Sequence, residues 1–323
     1  VSMAMSAMLR STERVKIPLI GSIISLFVNM GFNYILIFGK FGFPQMGVRG
    51  AALATVIAGI VNASVIFLMG GLTGHPYLWK ISRHYTFSRA FVGKYFKKCF
   101  PILCNEVLIG ISNMVVNVVL GHQIQEAIIA TAVFRTLEGF VISFFAGFTN
   151  AATVLVGKCV GAGEHETCFQ SGKRLVWLCQ LTIFTCCMVI FAVHKPVLTA
   201  MSLTGESYRI GTSMLLIYAV MGSVRMTNWM NNDTFRSAGD PADGTILEIV
   251  FSYVMMLHCV ILSGTVLHLP FLIVFFCAYI DEPIRVIIMR RHMFSGKWIK
   301  PVTTEGMATI QAFRDAHGIE VKN

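Results

Sequence analysis

Apolar residues run in long blocks along this chain, rather than alternating or recurring in short patches. The blocks are Ile17–Phe38, Gly47–Met69, Cys99–Leu120, Ala127–Gly157, Leu175–Val193, Tyr208–Met230, Thr245–Ser263 and Val266–Met289. Each reaches the length of about 20 residues at which a helix crosses the hydrocarbon of a bilayer. Val1–Leu9 reads as the end of one more. The pattern predicts an all-α, polytopic transmembrane helix bundle of about eight full spans plus a stub.

Polar positions inside those blocks carry the second signal. Ser22, Ser25, Asn29 and Asn33 fall within about 80° on a helical wheel, a single stripe along an otherwise apolar helix. Thr55 and Asn62, on the next block, also share one face. Two readings stay open: hydrogen bonding between packed helices, or a cavity wall that holds an ion or a proton carrier. In the third block Glu106, Asn113 and Asn117 fall within about 40° of one another. A carboxylate inside a span costs about 2.5 kcal/mol or more on insertion scales, so it faces a cavity or a partner; the alternative is that Glu106 sits at the wet end of its helix. Arg135 and Glu138 are three residues apart, the spacing of a structural ion pair or of a substrate cavity. Arg225 has no local partner, and Glu248 or Glu106 on another helix is a candidate for one. Asp281 and Glu282 lie near the basic end of the last block with Arg285 at hand, and read as a surface ion pair.

Composition agrees with the block pattern. Hydrophobic residues are 55% of the chain and charged residues 13%, with a mean hydropathy of +0.69; a soluble domain carries nearly twice that charge. The net charge of +10 is explained by topology. With the segment before Ile17 inside, twenty of the 26 lysines and arginines lie in inside loops, four (Lys40, Arg49, Lys195, Arg209) lie outside, and Arg135 and Arg225 lie within spans. This is the positive-inside pattern, and no soluble stretch is long enough for a nucleic-acid domain. The nine cysteines form no CxxC pair and read as packing residues. No HExxH, nucleophile elbow, P-loop or zinc spacing occurs, so an intramembrane enzyme is not expected.

A repeat organises the blocks. "LRSTERVKIP" from Leu9 aligns with "FRSAGDPADG" from Phe235, matching Arg10 to Arg236 and Ser11 to Ser237, and Pro44 then falls on Pro270. Order, spacing and topology agree, as in parallel-repeat transporters. On this reading 1–71 is the back of a first half, 72–98 an interlobe cytoplasmic linker, 99–290 a complete six-helix second half, and 291–323 a cytoplasmic tail. The front of the first half is expected to lie outside this chain.

"LRSTERVKIP", "NMGFNYILIFGKFGFPQMGVRGAALAT", "GKCVGAGEHE" and "FRSAGD" together resemble the multidrug and toxic compound extrusion (MATE) family, over almost the whole chain. The C-terminal "SGKWIKPVT" resembles members from gut Firmicutes. The resemblance implies twelve helices in two six-helix lobes, and the exchange of protons or sodium for organic, often cationic, amphipathic compounds. It implies an N-lobe cation site to which Asn29, Asn33 and Thr55 belong, its first-helix aspartate lying outside this chain. Some members carry aspartate where this sequence has Asn33. It implies cation coupling by Glu106, the only acid on helix seven, whereas the tenth-helix aspartate of the sodium-driven branch is replaced near Arg225. Asn62, Asn113, Asn117, Arg135, Glu138 and Arg225 become substrate-cavity candidates. No cofactor is implied beyond H+ or Na+ as coupling ion, and no metal beyond a possible Na+ site. The implied partners are a small organic substrate and the lipid bilayer, for a monomeric multi-pass protein of the bacterial inner membrane that is not an enzyme. The competing function is a flippase for lipid-linked saccharides. A cationic cavity built on Arg135 and Arg225 suits it, whereas Glu106 favours cationic drugs.

Overall fold

The computed structural model of the protein describes residues 2–73 and 88–319. Its helices are α1 (Ser2–Ser11), α2 (Lys16–Phe38), α3 (Val48–Leu72), α4 (Arg89–Gly121), α5 (Gln125–Gly161), α6 (His165–Ala192), α7 (His194–Ala200) and α8 (Gly205–Ser237). There follow α9 (Ala242–Val266), α10 (Phe271–Cys277), α11 (Glu282–Ser295) and α12 (Thr304–Ala316). No strand occurs among the described residues. Seven helices are long and apolar enough to cross a membrane, namely α2, α3, α4 from Ile102, α5, α6, α8 and α9.

The eighth expected span is not continuous. Val266–Met289 is divided into α10 and α11 by a turn at 278–281. Pro283 sits in the first turn of α11, where its missing N–H costs nothing but would break a helix running through it. The expected linker 72–98 lies outside the described residues at 74–87, and its last ten residues already belong to α4.

The chain forms two compact units, Val1–Lys94 and Tyr95–Asn323. In the first, α2 and α3 make an antiparallel hairpin. α2 stops at Gly39, whose φ of 65° is the left-handed cap that glycine adopts without strain. Gly50, Ala54 and Ala58 recur every four residues on the buried side of α3, and small residues at that spacing let two backbones approach closely. A Cβ on Gly50 would stand 2.7 Å from the Leu36 carbonyl oxygen. Across the same seam the Ser25 hydroxyl donates to the Ala58 carbonyl at 2.8 Å. Gly50→Val is therefore expected to push the hairpin apart and to cost about 1–3 kcal/mol, read as a lower unfolding midpoint in detergent, while Gly31→Ala, which meets nothing within 4 Å, leaves the midpoint unchanged.

In the second unit α8 is the central helix. It packs on α5, α6 and α11, and 56% of its apolar window is buried against 28% or less for the other spans. Phe134, Tyr218 and Phe275 meet edge to face around it, with ring centroids 5.1 and 5.3 Å apart. Large apolar side chains such as Val107, Phe144, Trp177, Leu216 and Val254 stay exposed on the outer faces, as a lipid-facing surface requires. Residues after Ser295 return to the bundle: Trp298 and Ile299 are fully buried. α12 docks on the α5–α6 turn, with the Thr303 hydroxyl donating to the Gly161 carbonyl at 2.8 Å and His165 Nε2 2.9 Å from the Gly306 carbonyl.

Candidate functional site

The helix at the centre of the second unit carries a polar stripe: Arg225, Asn228, Asn232 and Arg236 recur at three- and four-residue spacing on α8. Three further elements bring acids to that stripe. Asn228 Nδ2 donates to the Glu282 carboxylate at 2.7 Å and to the Glu282 backbone carbonyl at 3.0 Å. Asn232 Nδ2 donates to the Glu248 carboxylate of α9 at 2.7 Å, and Asn105 Nδ2 of α4 reaches the same oxygen at 3.4 Å. Arg285, one turn into α11, holds Glu282 at 2.9 Å and Asp281 at 3.3 Å. Arg225 reaches Glu282 at 3.6 Å, with its guanidinium 5.0 Å from the Trp229 ring and 5.2 Å from the Tyr279 ring.

These groups surround a cavity of about 20 Å³, lined by Ser112, Asn113, Glu248, Ser252, Asp281 and Arg285 among others. That is room for a water, not for a drug-sized molecule. Beside the cavity α9 is underwound, with i→i+5 hydrogen bonding over Ser252–Leu257, a local irregularity that recurs at functional sites. Asn105, Glu248, Asp281, Glu282 and Arg285 are all at most 5% exposed. Buried charge persists where it is paired or hydrogen-bonded; here Asp281 and Glu282 are paired with arginines, and Glu248 is held by the Asn232 and Asn105 amides.

Asp281 and Glu282 are thus a buried cluster rather than the surface ion pair expected of them. The turn that splits the eighth span carries them into the bundle. Arg225 pairs with Glu282, not with Glu248 or Glu106. Glu106 itself is 63% exposed on its side chain and pairs with Arg236 at 3.2 Å. Its helix-mates turn to other partners: Asn113 lines the cavity, and Asn117 accepts from Arg135 at 2.8 Å. Arg135 also makes the expected pair with Glu138, at 2.8 Å. Sequence reasoning missed Asn105, Asn228 and Asn232, although the α8 stripe was there to be read from their spacing.

In the first unit the stripe on α2 is partly gathered. Asn33 Nδ2 donates to Asn29 Oδ1 at 2.9 Å, so the two amides partner each other. The Thr55 hydroxyl donates back to the Ala51 carbonyl at 2.9 Å and is exposed. Asn62 places its buried, unpartnered Oδ1 against Gly21, where a Cβ would stand 2.8 Å away.

Comparison with known proteins follows this geometry. The model of the MatE family matches residues 101–262. Among curated relatives, the uncharacterized transporter YisQ of Bacillus subtilis is 25% identical over 95% of this chain and 66% of its own length. The probable multidrug resistance protein NorM of Thermotoga maritima is 26% identical over 91% of this chain and 63% of its own. The probable multidrug resistance protein YoeA of Bacillus subtilis is 23% identical, covering 76% and 54%. The chain thus spans roughly half to two thirds of these relatives. Among solved structures, the outward-facing form of a multidrug resistance MATE family transporter of the MOP superfamily superposes with a TM-score of 0.74 at 17% identity, over 90% of this chain and 65% of that one. The MATE transporter ClbM in complex with Rb+ gives 0.68 at 15% identity, over 95% and 66%.

Proposed function

The chain belongs to the MatE family of multidrug efflux transporters, and we propose that it serves an antiporter that exports small organic compounds in exchange for an inward-moving cation. The observation that carries this reading is the network of α8, α9 and α11: three buried carboxylates, those of Glu248, Asp281 and Glu282, around the buried guanidinium of Arg285, the half-buried one of Arg225 and a cavity of about 20 Å³. A membrane protein retains such groups where charge is bound and released. The similar structure of ClbM holds Rb+, which supports handling of a small monovalent cation by this fold. The cavity is too small for a drug, so substrate and cation occupy different places.

The rest of the reading extends from the same ground. The Asn29–Asn33 pair and Thr55 belong to a cation site of the first lobe, completed by residues outside this chain. Arg135, Glu138 and Asn117 belong to the substrate cavity of the second lobe, and Asn62 is a substrate-cavity residue of the first. The protein works as a monomer in the bacterial inner membrane with the loops rich in lysine and arginine inside. Relatives named for drug resistance favour organic cations over lipid-linked saccharides.

The test uses the natural full-length protein in proteoliposomes and in a pump-deficient bacterial strain. Ethidium export is expected to accelerate when a proton or sodium gradient is imposed in the opposite direction. Ethidium movement that ignores both gradients would overturn antiport.

A further inference from the structure

The acids of the network do not stand alike. Glu282 is locked between Arg285 at 2.9 Å and Arg225 at 3.6 Å, and Asp281 is held by Arg285 at 3.3 Å. Glu248 has no cation of its own. Its near partners are the neutral amides of Asn232 at 2.7 Å and Asn105 at 3.4 Å. Its one ion-pair contact is with Arg236 at 3.9 Å, and Arg236 is shared with two closer acids, Glu106 at 3.2 Å and Asp233 at 3.8 Å. Glu248 is 5% exposed and borders the water-sized cavity.

We propose that Glu248 takes up and releases the coupling proton, and that Arg236 moves between Glu106 and Glu248 as it does so. This rests on the antiport reading above. The chemistry follows from the partners. An amide N–H donates to a carboxylate oxygen and equally to the carbonyl oxygen of a carboxylic acid, so Asn105 and Asn232 hold Glu248 in both states. A guanidinium alongside a carboxylate favours its anion, and Glu282 and Asp281 are the acids so placed, against Arg285. When Glu248 gives its proton to water in the cavity, an uncompensated carboxylate is left in the interior, and that is costly until a cation closes on it. Arg236 is the cation within reach, and its approach loosens its grip on Glu106. Protonation of one buried acid thereby changes the contact between α4 and the end of α8. A proton can shift a two-state protein only through such a difference in contacts.

Every charged group that faces Glu248 enters this balance. α4 brings Glu106; α8 brings Asp233 and Arg236, with Arg225 across the cavity; the turn before α11 and α11 itself bring Asp281, Glu282 and Arg285. Asp233 accepts from the Thr149 hydroxyl at 3.1 Å and stands 3.8 Å from Arg236, but its side chain is 24% exposed against 7% for Glu248, so water meets its charge and no cation has to close on it.

The test measures proton release on ethidium binding, with a pH dye, in the full-length protein in detergent, beside gradient-driven export in proteoliposomes. The wild type is expected to release a proton on binding. Glu248→Gln, which keeps the amide contacts, is expected to bind ethidium and to exchange it across the membrane, yet to release no proton and to lose its response to a pH gradient. Proton release that persists in Glu248→Gln overturns the assignment. Should that variant not fold, Arg236→Gln decides: removal of the shared cation is expected to move the pH midpoint of proton release by about one unit, and an unmoved midpoint overturns the proposal. A wild type that transports nothing under any gradient refutes antiport itself, a result distinct from failure at Glu248.

Discussion

Replacing Arg285 with methionine is expected to lower the stability of the second unit by about 3–5 kcal/mol, the cost of leaving one partner of a buried ion pair uncompensated. Both acids beside it, Asp281 and Glu282, are at most 3% exposed. Arg285 bonds each of them, at 3.3 and 2.9 Å, and Arg225 then remains for Glu282 alone. The fork of a guanidinium serves two carboxylates at once, which an ammonium on a single stem does not, so Arg285→Lys is expected to recover only part of the loss. Asp281→Asn added to Arg285→Met removes the charge that is left stranded, since Glu282 keeps Arg225 at 3.6 Å, and is expected to restore more of it. The measurement is the thermal unfolding midpoint of the full-length protein in detergent. An unchanged midpoint for Arg285→Met would mean that water reaches the cluster and that the charges are not buried as a unit.

That cluster also marks where sequence reading stopped. Spans were legible because about 20 apolar residues in a row admit few other structures, and α2, α4, α5, α8 and α9 contain the expected blocks, with α3 one residue short at Gly47. The small residues Gly50, Ala54 and Ala58, on the buried seam of α3, were visible as composition but not as an interface. Asp281 and Glu282 were misread for a geometric reason. In an unbroken helix to Met289 they lie close to the basic end, where side chains reach water. The turn at 278–281 ends that helix early and sends α11 back along α8. Hydropathy averages over such a break, since its flanks are as apolar as the rest. Glu106 shares a face of the wheel with Asn113 and Asn117, but its partner in the fold, Arg236, lies 130 residues away in the chain. Which face of a helix meets which neighbour is a tertiary fact. The α8 stripe is different, because its period alone places Arg225, Asn228, Asn232 and Arg236 on one side, yet only Arg225 is singled out from it as a candidate in the sequence.

Truncating Trp298 to alanine is expected to cost about 3–5 kcal/mol, as for other fully buried large aromatics, and to detach the C-terminal segment from the bundle. Trp298 is 0% exposed and its Nε1 donates to the Met293 carbonyl at 2.9 Å. Its ring fills the space left by Gly172, where a Cβ would stand 2.8 Å from Cη2, and lies 5.8 Å from Phe235. Two residues on, the Lys300 N–H donates to the Ala238 carbonyl at 3.0 Å, and Lys300 Nζ sits 2.9 Å from Asp240 and 3.3 Å from Asp243. Asp240, Asp243 and His292 have a metal-like spacing, but the cation among them is this ammonium. Gly239, at φ 91°, leaves the Lys300 carbonyl only 2.1 Å from where a Cβ would be, so the fit tolerates no side chain there. Burial pushes the Asp240 carboxyl up, yet hydrogen bonds and charge from His292 and Lys300 outweigh it and hold the group below 3.8. Partial burial pulls the Lys300 ammonium down, and Asp240 with Asp243 outweighs that to hold it above 10.5. The Asp240 contribution is therefore present above its unfolded value of 3.8 and is lost as pH falls through the lower folded one. The Lys300 contribution is complete below 10.5 and is lost as pH rises through the higher folded value. Limited proteolysis of the full-length protein reads the attachment. Cleavage after Ser295 is expected to be slow in the wild type and many times faster in Trp298→Ala. Asp240→Asn, which keeps a hydrogen-bond acceptor but no charge, is expected to fall between the two. Equal cleavage of all three proteins would mean that the segment is held by α12 on the α5–α6 turn, through Thr303 and His165, and that the tryptophan and the Asp240–Lys300 pair only fill the space between.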